Sequence, residues 1–202
     1  MSTQPKHRYT LEEYFELERT SEERWEYFDG EIFCMSGVTA THSRIEGNTI
    51  TALNIKLGDR GCSAFTADMR IKVPAAPPYR YADVSVLCDE PALEKIGGVD
   101  ALTNPVVIIE ILSPSTEAYD RGDKFTWYKS ISSLREYVLL AQHRPHVTHY
   151  VKEAAEWKYE ELNELESELA LPSIDCVPTL GDVYRNVTFE PLTLRSPEDE
   201  PR

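Results

Sequence analysis

The sequence predicts an α/β fold, and three features carry that reading. Strand-like and helix-like segments alternate along the chain. The run Pro105-Val-Val-Ile-Ile-Glu-Ile-Leu112 is apolar, β-branched and short, as a central strand buried on both faces must be. Two Ser/Thr-x-x-Glu capping boxes, Thr10 to Glu13 and Ser43 to Glu46, stand ahead of helical patterns. With 202 residues, 41% hydrophobic and 28% charged, the chain can bury a substantial core. One domain over 1–193 is expected, followed by a solvated acidic tail, 194–202.

The first capping box starts a short helix that ends near Glu18. Arg24 to Met35 reads as a hairpin turning at Asp29-Gly30, a dipeptide suited to positive φ. The second box, with Ile50, Leu53 and Leu57 at helical spacing, predicts a helix over roughly 43–58, stopped by Gly58 and Gly61. Cys62 to Val73 is extended and closed by Pro74. Tyr81 to Cys88 alternates as a strand, with Ala82, Val84, Val86 and Cys88 on one face and Tyr81, Asp83, Ser85 and Leu87 on the other. After the central strand, Thr116 is the expected N-cap of a helix reaching about Ser132, supported by Phe125, Tyr128 and Ile131. Strands follow at Glu136 to Ala141, Val147 to Val151 and Trp157 to Leu162. The stretch from Glu160 to Glu168 fits a hairpin or, through Leu162, Leu165 and Leu169, a helix; the hairpin is preferred. Leu180 to Tyr184 forms a short last helix.

The polar N-terminus lacks the apolar core of a signal peptide, and no apolar run approaches the roughly 18 residues of a spanning helix. The expected location is therefore the cytoplasm, away from membranes. Cys34, Cys62, Cys88 and Cys176 are isolated, without zinc-binding spacing, and are expected to be reduced thiols. The formal charge of −14 advertises no basic face for a phosphate backbone.

Glu110 is the residue that asks for an explanation. It shares a strand face with Val106, Ile108 and Leu112, and a carboxylate in an apolar row must be protonated, ion-paired or bound to a cation. Asp83, on a second strand, is by itself readable as a turn or cap residue. Together the two acids suit a hard divalent cation such as Mg²⁺ or Mn²⁺, which takes a few carboxylate oxygens and keeps several waters. Lys124 sits at the margin of a buried helical stripe. It either points back over Glu110 or pairs at the surface with Asp120.

At these residues the chain resembles a family. Asp83, Glu110-Ile-Leu-Ser-Pro-Ser-Thr116 and Asp120-Arg-Gly-Asp-Lys124-Phe-Thr-Trp-Tyr128 are similar to the Uma-type restriction endonucleases, a branch of the PD-(D/E)XK restriction-endonuclease-like superfamily. Tyr9-Thr-Leu-Glu-Glu-Tyr14, Glu26-Tyr-Phe-Asp-Gly-Glu31 and Ser133-Leu-Arg-Glu-Tyr137 extend the likeness over most of the chain. The resemblance implies a mixed sheet flanked by helices. It implies Asp83 and Glu110 as metal ligands, Lys124 as catalytic lysine, Glu26 as an auxiliary acid and His42 near the site mouth. Two features depart from the superfamily pattern: Ala82 precedes Asp83 where proline is usual, and Leu112 stands where a lysine would follow Glu110 by two residues.

The expectation is thus a Mg²⁺- or Mn²⁺-dependent endonuclease acting on nucleic acid, DNA first, with Asp83, Glu110 and a carbonyl at Ile111 on the metal. A homodimer is expected. The alternative is a dimeric nuclease-fold module that binds without turnover, in which Glu110 is ion-paired to a neighbouring Arg or Lys.

Overall fold

The computed structural model describes residues 7–35 and 37–189. The expected tail, 194–202, lies outside them. Helix α1 (Leu11–Thr20) begins at the expected box: Thr10 Oγ1 accepts the Glu13 N–H at 3.2 Å, and Glu13 Oε2 accepts the Thr10 N–H at 2.7 Å. Strands β1 (Trp25–Phe28) and β2 (Glu31–Cys34) pair through Asp29 and Gly30, both at positive φ, as the dipeptide predicts.

Helix α2 (Ala40–Leu57) starts earlier than expected. Its N-cap is Thr39, whose hydroxyl accepts the His42 N–H at 3.1 Å, so the Ser43-x-x-Glu46 pattern lies inside the helix and caps nothing. Thr39→Ala should cost about 1 kcal/mol in urea unfolding, while Ser43→Ala should change little.

The main sheet has the order β12-β11-β10-β9-β6-β3, formed by β3 (Cys62–Thr66), β6 (Val84–Cys88), β9 (Val107–Leu112), β10 (Glu136–Ala141), β11 (Val147–Glu153) and β12 (Glu156–Leu162). β9 and β10 are parallel and the other neighbours antiparallel, so the sheet is mixed, as expected. On one face Val107, Ile109 and Ile111 of β9 pack with Ile45, Leu53 and Leu57 of α2. On the other, Ile108 and Leu112 pack with Phe125, Tyr128 and Tyr137. Burying each such side chain contributes roughly 1.5–3 kcal/mol. Glu110 occupies one of these second-face places and forfeits that gain.

Several expected elements are cut shorter. The extended segment Cys62 to Val73 turns after Thr66, and β4 (Arg70–Ile71) joins a second sheet with β5 (Arg80–Tyr81), β7 (Leu93–Ile96) and β8 (Val99–Leu102), in the order β5-β4-β8-β7. The expected strand Tyr81 to Cys88 is likewise divided: β5 (Arg80–Tyr81) belongs to the second sheet and β6 to the first, with the break at Ala82 and Asp83. The hairpin of β7 (Leu93–Ile96) and β8 (Val99–Leu102) was not foreseen. It turns at Gly97 and Gly98, both at positive φ, and a Cβ on Gly97 would come within 2.3 Å of the Phe15 ring.

The helix after β9 comprises α3 (Glu117–Tyr119), a π-helical turn (Asp120–Lys124) and α4 (Phe125–Tyr128), and stops at Tyr128 rather than Ser132. Ser130 and Ile131 already make turn bonds to the Trp127 and Tyr128 carbonyls. Thr116 does not cap it; its hydroxyl bonds to Ser113 instead. The expected hairpin holds only as far as Leu162 in β12, residues 163–167 being turn and irregular rather than helix, and α5 (Leu180–Val183) is the expected last helix.

Cys62 and Cys88 are disulfide-bonded, against the expectation of reduced thiols. They face each other directly in the β3–β6 register, a proximity that their separation in sequence hid. Among the described residues no helix is long and apolar enough to cross a membrane.

Candidate functional site

Asp83 and Glu110 stand where the main sheet forks. The β6–β9 ladder reaches its last pair at Val84 and Ile109. One step further, carboxylates replace the ladder: Asp83 Oδ2 accepts the Ile111 N–H at 2.6 Å, and Glu110 Oε2 accepts the Asp83 N–H at 3.3 Å. The chain before Asp83 leaves for the second sheet, and the gap opens a cleft of about 560 Å³. Its wall includes Asp83, Glu110, Ile111, His42, Asp120 and Lys124.

Glu110 is 2% exposed. Its Oε1 accepts the Tyr128 hydroxyl at 3.1 Å and lies 2.9 Å from Lys124 Nζ. Lys124, 3% exposed, also lies 3.4 Å from Asp120 Oδ1. Lys124 is therefore neither a surface residue nor a partner of Asp120 alone; it lies over Glu110. Burial pushes the Glu110 carboxyl well above the usual carboxylate range, Lys124 opposes that, and Asp120 and Asp83 add to it. Burial would lower the Lys124 pKa, but Glu110, then Asp120 and Glu26, hold it well above its ordinary value. Both directions have one cause, which is that carboxylates removed from water demand a positive charge.

His42 Nε2 lies 3.1 Å from Asp83 Oδ1. Burial would lower its pKa, yet the hydrogen bond and charge of Asp83, helped by Glu46 and Asp120, raise it. As the third residue of α2, His42 is part of the capped first turn rather than its preface. Glu26, 3% exposed, is not in the cleft wall. It reaches the site through two residues that are: Oε1 accepts the Tyr81 N–H at 2.8 Å and Oε2 the Tyr119 hydroxyl at 3.2 Å. All five sequence-selected side chains thus meet at or beside one cleft.

Three neighbours were not selected from sequence. Tyr128 looked like a core aromatic, and Asp120 entered only as a surface partner for Lys124. Gln142 gave no signal at all, yet its Nε2 donates to the Leu112 carbonyl at 2.8 Å and its Oε1 accepts the Thr39 hydroxyl at 2.7 Å, joining the start of α2 to the end of β9.

Among the described residues, no group of three His, Cys, Asp or Glu side chains is arranged to hold a metal ion. A closed zinc site is therefore not the pattern here. Two carboxylates opening on a cleft are the donor set of Mg²⁺ or Mn²⁺, which keeps waters and leaves places for substrate oxygens. Each carboxylate oxygen has two lone pairs, so the bonds to Ile111 and His42 leave Asp83 acceptor capacity. By donor chemistry the two acids suit such an ion, with Glu110 here held by Lys124 and Tyr128.

Residues 11–179 match the family model Uma2, described as "Putative restriction endonuclease". The chain belongs to the Uma2 family. The matched span contains Glu26, His42, Asp83, Glu110 and Lys124. Two relatives of this Uma2 chain occur in Synechocystis sp. (strain ATCC 27184 / PCC 6803 / Kazusa). The uncharacterized protein sll1609 is 36% identical over 143 residues, covering 71% of this chain and 80% of its own. The uncharacterized protein slr1290 is 34% identical over 182 residues, covering 88% and 92%. The fold is also that of a crystal structure described as a "putative nuclease belonging to DUF820" from Anabaena variabilis ATCC 29413. The match has a TM-score of 0.69 at 20% identity and spans 87% of this chain and 97% of that one.

Proposed function

We propose that this Uma2 chain is a Mg²⁺- or Mn²⁺-dependent endonuclease that hydrolyses phosphodiester bonds of DNA. Asp83, Glu110 and the Ile111 carbonyl would hold the ion. The observation that carries the reading is the pair of acids at the sheet fork, with a buried lysine 2.9 Å from one of them. Bound there, a divalent cation supplies a Lewis acid and a water of lowered pKa. Lys124, lying between Glu110 and Asp120, would stabilise negative charge on the phosphoryl oxygens. His42 fixes the Asp83 carboxylate. Glu26 supports the Tyr81 and Tyr119 sides of the wall.

Purified protein should nick supercoiled plasmid DNA in Mn²⁺ or Mg²⁺ and stop in EDTA. Cleavage that survives the chelator would count against the reading. A second reading, a binding module without turnover, is favoured by the Lys124–Glu110 pair, which already compensates the buried carboxylate. Heating separates the two. An ion at about 100 times its Kd adds about 2.7 kcal/mol, or roughly 5–10 °C for a chain of this size, and a module that binds no ion shows no rise.

A further inference from the structure

Lys124 faces two buried carboxylates, and the two contacts are unequal. Glu110 is close, at 2.9 Å, and has further donors in Tyr128 and the Asp83 N–H. Asp120 is 3% exposed, and among the described residues its carboxylate has a single side-chain partner, Lys124 at 3.4 Å. A carboxylate so deeply buried, with one long contact, has unused capacity for the same ammonium.

The two acids reach Lys124 from different elements, Glu110 from β9 and Asp120 from the π-helical turn. That turn begins at Asp120 and ends at Lys124, both ends are buried, and both line the cleft. The widened turn holds acid and base on the sheet-facing side, the kind of local departure from α geometry that recurs at functional sites. Gly122 lies within it, and a Cβ there would meet nothing within 4 Å, so the turn is not forced by crowding at that residue.

We propose that Lys124 is the resident counter-cation of Glu110, and that Asp120 is the positioning residue that receives it when Glu110 turns to a divalent ion. This rests on the metal-dependent reading above and deepens it. Before the ion arrives, Lys124 satisfies Glu110. Afterwards, an ammonium displaced toward bulk water would be lost to the site, whereas one retained by Asp120 stays in the cleft wall, facing substrate. The same exchange explains how the pairing demanded by a module without turnover can belong to an active enzyme. Asp120 acts only through Lys124 and touches no substrate.

Mn²⁺ titrations of the full-length protein by calorimetry test the idea without recourse to cleavage. Lys124→Met removes the competing cation, so Mn²⁺ should bind more tightly. Asp120→Asn leaves the displaced ammonium without a partner, so Mn²⁺ should bind about tenfold more weakly. A uniform field effect would give the same two signs, but the double variant separates them. If Asp120 works through Lys124, Asp120→Asn should change affinity less than about twofold once Lys124 is Met. Lys124→Gln serves the same cycle should Lys124→Met not fold. Unchanged Mn²⁺ affinity in Asp120→Asn, or an equal loss with and without Lys124, overturns the inference while leaving the metal site standing. Failure of the wild type to bind Mn²⁺ at millimolar concentration overturns the metal reading itself.

Discussion

Asp83→Ala should lose DNA cleavage by a factor on the order of 10²–10³ or more and still fold. Its side chain is 19% exposed, so removing it costs less than removing a fully buried partner. Glu110→Ala is a different experiment. It strands a buried ammonium and a buried tyrosine hydroxyl, and breaking such a pair costs about 3–5 kcal/mol. Lost activity in that variant would partly report unfolding. Glu110→Gln keeps an acceptor for Tyr128 and leaves Lys124 its Asp120 contact, so it should remain folded, cleave no DNA and show no Mn²⁺-dependent rise in Tm. Circular dichroism with a plasmid assay checks all three variants, and cleavage at the wild-type rate by Asp83→Ala would identify a contaminant.

The largest loss of stability outside the cleft is expected at Glu18. Its carboxylate accepts the Trp25 N–H at 2.7 Å, the Tyr81 hydroxyl at 2.7 Å, the Tyr79 hydroxyl at 3.1 Å and Arg70 Nη2 at 3.0 Å. The Arg70 guanidinium also lies over both tyrosine rings. Glu18→Ala leaves these donors without their acceptor, for about 3–5 kcal/mol in urea unfolding, whereas Glu18→Gln should cost clearly less. Because Tyr81 lies two residues before Asp83, cleavage should fall too, although Glu18 is not in the cleft wall. An alanine variant as stable as the wild type would show the cluster to be ornamental.

Local signals read well and register signals did not. The central strand announced itself because both faces are buried, and Glu110 stood out only because its neighbours are Ile and Leu. Asp29-Gly30 and Thr10 acted within four residues, where local chemistry decides. Ser43-Arg-Ile-Glu46 satisfied the same pattern but lost to Thr39, since any helix interior can contain a serine three residues before a glutamate. The disulfide and the acceptor role of Glu18 depend on which strands lie side by side, and that is set by packing across the chain. The π-helical turn is a one-residue widening with no sequence signature. Lys124 is chosen by family likeness, since a lysine at the margin of a helical stripe fits a surface pair with Asp120 as well as a place over Glu110.

The bonds at the sheet fork change what persistence of these acids in other chains can mean. Asp83 accepts a backbone amide of β9 and Glu110 accepts the Asp83 amide in the break just before β6, so both acids extend the strand pairing as well as line the cleft. A lineage that abandoned the chemistry would still be penalised for losing either one. Retention of the pair is therefore weak testimony to activity, and a lineage that keeps both acids but discards Lys124 or Asp120 marks where selection for catalysis has lapsed.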